Sequence, residues 1–393
     1  MNYRKLFREH KIIRDLSLVQ FIAYFGAWFS NVAIYTMLVE FGSTEMAISI
    51  VTAMHFLPAI LIAPFSGAII DRVKIKPLMV TLLCTELLMT LLFLTINDKS
   101  QIWLLMILIF IRMSAASMFF STEMSLLAKL LNGKPLQMAN EIHSIIWSFT
   151  YAVGMALSGF IVNSFGYKTA FMLDAFVFTL ALIVFIRIDF VVKASITSDK
   201  IMELIKDGFF YIKNNKIMLH LIFLHSCVGL TSFDALITIL AKNEYKYIIS
   251  VPLAIGLSNA VRAVALMIGP STISKYVTKE NLHFLMIFQG ITIIFWGLTQ
   301  SNFYISLVSL FFVGLSTTTL WSFTYALIQN KCDEKYIGRV ISYNDMIFML
   351  SCVLTTLFIG LMASLTSTDI ITILLGVGFL AFAFYYKRIL KWI

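Results

Sequence analysis

The chain has 393 residues, of which 60% are hydrophobic and 13% charged, with a net charge of +9. A soluble domain is about a quarter charged, so this composition excludes a water-soluble globule and marks a polytopic membrane protein. No G-x-x-x-x-G-K-[ST] phosphate loop occurs, and the basic excess sits at the ends of apolar runs, so neither nucleotide hydrolysis nor nucleic-acid binding is expected.

A helix rising about 1.5 Å per residue needs roughly 20 apolar residues to cross a hydrocarbon core of about 30 Å. Such runs predict twelve spans, at 16–40, 46–70, 77–97, 101–126, 137–163, 167–187, 217–241, 251–274, 281–300, 303–329, 339–365 and 369–390. The first starts near Leu16 and is too long for a cleaved signal peptide, so a retained helix is expected. Of the 30 Lys and Arg, 24 fall in the joints of one side and four on the other, with Arg112 and Arg262 inside spans. The positive-inside bias therefore expects both termini in the cytoplasm.

The longest polar joint, roughly 188–216, follows the sixth span. It divides the chain into an N-terminal six-helix bundle (1–190), a cytoplasmic linker (191–216) and a C-terminal six-helix bundle (217–393). In the linker, Ile201, Leu204, Ile205 and Gly208-Phe209 recur at helical spacing among Asp199, Lys200, Glu203 and Lys206. That pattern predicts a short amphipathic tether lying on the inner membrane surface.

Charges inside a span cost about 2.5–3.5 kcal/mol at the bilayer centre, so they usually face a cavity or a partner. Glu86, Arg112, Asp174, Asp234 and Arg262 fall inside spans, and Asp345 lies near the start of span 11. Asp234 sits among Gly229, Thr231, Ser232 and Thr238, and Arg262 has Asn259 one turn before it. Tyr24, Trp28 and Tyr35 stand four and seven apart and share a helix face, as a packing stripe or a cavity wall. The cysteines form no C-x-x-C pair and the histidines are dispersed. No disulfide framework, metal site, cofactor site or nucleophile–base cluster is indicated, and an enzyme is not expected.

The joint after span 2, Gly67-Ala68-Ile69-Ile70-Asp71-Arg72-Val73-Lys74-Ile75-Lys76, resembles the G-x-x-x-D-R-x-G-R-K signature of the major facilitator superfamily. Lys74 and Ile75 replace the glycine and arginine of that pattern. Three stretches resemble its drug-exporter branch, which includes macrolide-efflux and enterobactin-exporter proteins: Leu16 to Asp71, Pro135 to Phe178, and Asp207 to Leu221. Gly338-Arg339-Val340 at span 11 is also typical, whereas the span-5 G-P-x-x-G-G pattern is absent at Gly154-Met155.

The resemblance implies an all-α membrane protein, twelve helices in two six-helix bundles. It implies a conformational latch from Gly67, Asp71, Arg72, Lys76 and Glu123. Asp234, Glu86, Arg112 and Asp174 are then proton-coupling candidates, with Asp234 first. Glu86 and Asp174 fall on spans that are peripheral in this fold, and a structural role is expected for Asp174. Tyr24, Trp28, Asn31, Tyr35, Arg112, Trp147, Tyr151, Asp234, Asn259, Arg262, Trp321, Tyr325 and Asp345 are cavity candidates, their aromatic rings suiting an amphipathic substrate. The expected function is a secondary active transporter working by alternating access, as a proton-coupled exporter of lipophilic or amphipathic small molecules of the multidrug or macrolide kind. The alternative on the same fold is an uncoupled facilitator, a metabolite importer or a lipid flippase. Expected partners are the small-molecule substrate, protons and the lipid bilayer, with the chain a monomer. Usage rich in Ile, Lys, Phe and Asn points to an AT-rich bacterial genome, and the expected location is the bacterial cytoplasmic (inner) membrane, multi-pass.

Overall fold

The computed structural model describes residues 3–131, 133–190 and 201–392, without the side chains at 3, 64, 67, 68, 71, 201 and 204. Among the described residues every regular element is helical. Twelve helices are long and apolar enough to cross a membrane. They are, as spans 1 to 12, Lys11–Glu40, Glu45–Ala63, Ile75–Phe93, Lys99–Leu130, Gly133–Phe165, Tyr167–Ile186, Lys216–Asn243, Val251–Tyr276, Leu282–Thr299, Phe303–Lys331, Glu334–Met362 and Thr368–Trp392. Their number and order are those that hydropathy predicts. Inside lipid each backbone N–H and C=O must be satisfied within the chain, which leaves helices as the solution for such runs. Where the chain leaves the apolar layer, polar residues start the next helix. The side chain of Thr44 accepts from Ala47 N before span 2, and that of Asn302 accepts from Tyr304 N and Ile305 N before span 10.

With an even number of spans the two ends of the chain share one face, called here the terminal face; the other is the distal face. In the N-terminal half, span 1 packs on spans 5 and 6, and span 3 on spans 4 and 6. In the C-terminal half, span 8 packs on span 10 and span 9 on span 12. The halves meet where span 5 lies along span 8 and span 2 along span 11. Glycine sets the first of these approaches. A Cβ on Gly159 would lie 2.8 Å from the Pro252 carbonyl oxygen, and one on Gly256 would lie 2.7 Å from that of Met155. Near the distal face Lys242 Nζ also crosses between halves, 2.8 Å from Glu45 Oε1 and 2.7 Å from the Ser43 carbonyl.

Two spans are discontinuous. Span 2 leaves α-helical geometry after Ala53 and resumes at Leu57–Arg72, with Pro58 in the first turn of the second piece. Span 7 is helical over Lys216–Ser226, tightens to a 3-10 turn at Cys227–Thr231, and restarts at Asp234. The break lies where Gly229 abuts span 11: a Cβ there would come within 2.6 Å of Ser351 Cβ.

The linker helix forms, as Ile201–Asn214; Asp199 and Lys200 lie outside the described residues. One face docks on span 11, with Arg339 Nη1 donating to Asp207 Oδ2 at 2.6 Å and Tyr343 Oη to the Ile205 carbonyl at 3.0 Å. Phe209 and Phe210 on another face stay about half exposed.

Candidate functional site

The strongest polar centre of the N-terminal half is assembled from spans 1, 4 and 6. Arg112 Nη2 donates to Asp174 Oδ2 at 2.8 Å, and both side chains are almost wholly buried. Ser30 donates to the same carboxylate oxygen. The other oxygen of Asp174 is buried without a hydrogen-bond partner, and a Cβ on Gly26 would stand 2.7 Å from it. The glycine is thus what makes room for the acid. The guanidinium carbon of Arg112 lies 5.7 Å from the ring centre of Phe93 and 5.5 Å from that of Phe178. The partner of Arg112 is thus Asp174, 62 residues away in the chain. The role expected for Asp174 gains a definite form, because it neutralises and orients the arginine.

Glu86, on span 3, is 6% exposed, and no hydrogen bond to its carboxylate is formed among the described residues. It lines a cavity of about 150 Å³ together with Tyr24, Trp28, Asn31, His55 and Arg112. The cavity therefore holds one acid that is not already paired. Trp28 continues its wall toward the other half. Its ring centre is 4.4 Å from that of Tyr151, which is 5.4 Å from Trp147, and Tyr151 Oη reaches Asn259 Oδ1 of span 8 at 3.4 Å. Tyr24 and Trp28 behave as the shared helix face predicts. Tyr35, farther along that face, is buried as packing, with its ring 6.0 Å from that of His55.

The two broken helices adjoin at this level. Asp234, half-buried in the first turn of the second piece of span 7, lies within electrostatic reach of Tyr35 and His55. An acid at a helix N-terminus is favoured by the backbone dipole. Arg262 stands 5.6 Å over the Phe233 ring, and its Nη1 is buried without a hydrogen-bond partner. Among the described residues no ion pair joins Asp234 and Arg262.

A second aromatic wall belongs to the C-terminal half. Trp321 and Tyr325 stack at 4.7 Å. His225 packs 5.7 Å from Trp321 and 5.5 Å from both Tyr325 and Phe348, with Nδ1 2.8 Å from Thr324 Oγ1. Asp345 lies beside Tyr325. Trp147 and Trp321, on the terminal-face side of spans 5 and 10, stay 41% and 37% exposed.

Among the described side chains, Arg72, Lys76 and Glu123 make no contact with one another. Lys76 Nζ pairs with Asp189 Oδ1 at 3.3 Å, Arg72 is exposed, and Glu123 is buried beside Gln20. The side chain of Asp71 is among those not described. Sequence reasoning assigned no individual role to His55, His143 or His225, each buried or half-buried within a span. Their cost in an apolar segment was the available sign.

The Major Facilitator Superfamily model matches residues 16–356. The chain belongs to the Major Facilitator Superfamily. An uncharacterized transporter of that superfamily, YfiS of Bacillus subtilis (strain 168), is 26% identical over 222 residues, 55% of this chain. The match spans only about half of that relative, 52% of its length. Among solved structures, the nucleoside transporter NupG superposes with a TM-score of 0.76 at 11% identity, covering 96% of this chain and 99% of its own. A bacterial homologue of the human lysosomal transporter Spinster, inward-facing and occupied, gives 0.73 at 11% identity, covering 97% and 96%. Those likenesses establish the fold. The chain is a multi-pass membrane transporter of this superfamily and not an enzyme.

Proposed function

We propose that this superfamily member is a proton-coupled exporter of lipophilic or amphipathic small molecules, working by alternating access between its two halves. The terminal face is cytoplasmic in this reading, in keeping with the distribution of Lys and Arg. The closed distal contacts, Lys242–Glu45 and Gly159 against Gly256, then describe a chain open toward the cytoplasm. The observation that carries the reading is the unpaired buried acid Glu86, in a cavity whose other charge, Arg112, is already neutralised by Asp174.

Such an acid is expensive to keep ionised in a closed, low-dielectric site and cheap to keep protonated. Proton binding and release at Glu86 would therefore favour different conformations, which is what coupling requires. Asp174 holds Arg112 in place. Asp234, in the first turn of the second piece of span 7 where it meets span 2, takes the substrate-facing role. The aromatic walls around Trp28–Tyr151–Trp147 and Trp321–Tyr325 suit flat or amphipathic apolar solutes better than sugars.

The test is tracer movement in liposomes carrying the purified protein. The compounds are ethidium, erythromycin, a catecholate siderophore and a lysophospholipid, each with and without an imposed pH gradient. Uphill movement of one of them, abolished by a protonophore, is expected. Equal, gradient-independent equilibration would instead favour an uncoupled facilitator or flippase.

A further inference from the structure

A second buried polar cluster lies nearer the terminal face than the Glu86 cavity. Glu123 of span 4 is 1% exposed, and one of its carboxylate oxygens is buried with no hydrogen-bond partner. The Gln20 amide of span 1 lies beside it. Gln20 Nε2 is also 2.7 Å from His143 Nδ1 of span 5. An amide nitrogen carries two N–H donors, so one Gln20 serves both groups and leaves Nδ1 of His143 as acceptor with the ring proton on Nε2. The Tyr24 ring packs edge-on against His143 at 5.8 Å, and Tyr24 in turn lines the Glu86 cavity.

Proton-exchanging side chains therefore follow one another from Glu123 through His143 and Tyr24 to Glu86. Span 4 runs from the distal to the terminal face, and Glu123 stands 11 residues beyond Arg112, about 16 Å along the helix. The other charged groups on spans 1, 4 and 5 are Lys11, Arg14, Asp15 and Glu40 toward the ends of span 1, Lys99 and Lys129 at the ends of span 4, and Lys134 and Glu141 in the terminal-face turns of span 5; inside the bundle, Arg112 and Asp174 are joined to each other. A cavity of about 150 Å³ is several times the roughly 30 Å³ share of one water, so a hydrated link between Tyr24 and Glu86 fits the space.

We infer that Glu123, Gln20 and His143 form a proton port between the terminal face and the Glu86 cavity, on a route inside the N-terminal half and separate from the substrate's path between the halves. This rests on the proton-coupled reading above. It gives Glu123 a role other than the latch, and His143 a role that sequence alone did not assign.

The experiment is proton flux, followed by a pH dye inside liposomes with each of the four compounds named above, for wild type, Glu123→Gln, His143→Asn and Glu123→Asp. Exchange of the same compound without a pH gradient is measured alongside. The port predicts that Glu123→Gln and His143→Asn lose proton flux by about a hundredfold, the scale of a lost proton relay. Gradient-free exchange stays near wild type, and Glu123→Asp, which keeps the acid, retains flux. Wild-type flux in both Glu123→Gln and His143→Asn overturns the port while leaving coupling intact. Loss of exchange in parallel with flux also overturns it, since the residues would then be structural. If no compound moves protons in the wild type, the coupled reading falls and the port with it.

Discussion

At the residue scale, the Arg112–Asp174 pair decides whether the N-terminal half holds together. Removing one partner leaves the other charged and buried, which costs about 3–5 kcal/mol. Asp174→Asn or Arg112→Gln is therefore expected to lower the thermal unfolding midpoint sharply, and the double variant to recover most of the loss. Equal, additive losses in the double variant would show that the pair is not coupled. Gly26→Ala drives a methyl toward Asp174 Oδ1, 2.7 Å from where its Cβ would sit. It should cost about 1–3 kcal/mol, read by the same unfolding assay, and a neutral result would contradict the packing described. That these residues were ionisable and intramembrane was legible in the sequence. Their pairing was not, because Arg112 and Asp174 are 62 residues apart and hydropathy says nothing of which helix faces meet. The histidines were given no individual role for a related reason: His55, His143 and His225 share no local spacing, and the polar neighbours of His143 and His225 come only from the fold, while His55 bonds the Val51 carbonyl one turn back.

At the element scale, hydropathy located all the spans because apolar length is a local property. The breaks were half visible. Pro58 marks the restart of span 2, but nothing local announces the 3-10 turn at Cys227–Thr231, which depends on Gly229 meeting span 11. The linker helix was likewise predicted from its period, while its docking through Asp207 and Arg339 was not. The distal closure gives an element-level prediction. Ser49 is fully buried under Gly360, on the same side as the Lys242–Glu45 pair. In a background lacking the native cysteines, Ser49→Cys should be slow to react with an impermeant thiol reagent, and Lys242→Ala should speed the reaction several-fold. The pair is half-buried, so a shift of about 1 kcal/mol, roughly a fivefold change in the open population, is the scale expected. Unchanged reactivity would mean that the ion pair does not hold the distal side closed. Gly256→Leu should do more, because the approach of spans 5 and 8 leaves no room for a side chain.

At the scale of the whole molecule, the two halves are held at the middle and the distal face, while an unpaired acid sits inside one of them. On the proposed reading, substrate moves between the halves and charge compensation occurs within a half. In the proposed mechanism the superfamily fold supplies the rocking, and Glu86 supplies the reason for protons to accompany it. The most direct measurement is the number of protons moved per substrate molecule in liposomes, compared between wild type and Glu86→Gln. A definite proton count in the wild type, falling to zero in Glu86→Gln while gradient-free exchange of the same compound persists, is the predicted result. Unaltered proton movement in Glu86→Gln would contradict it.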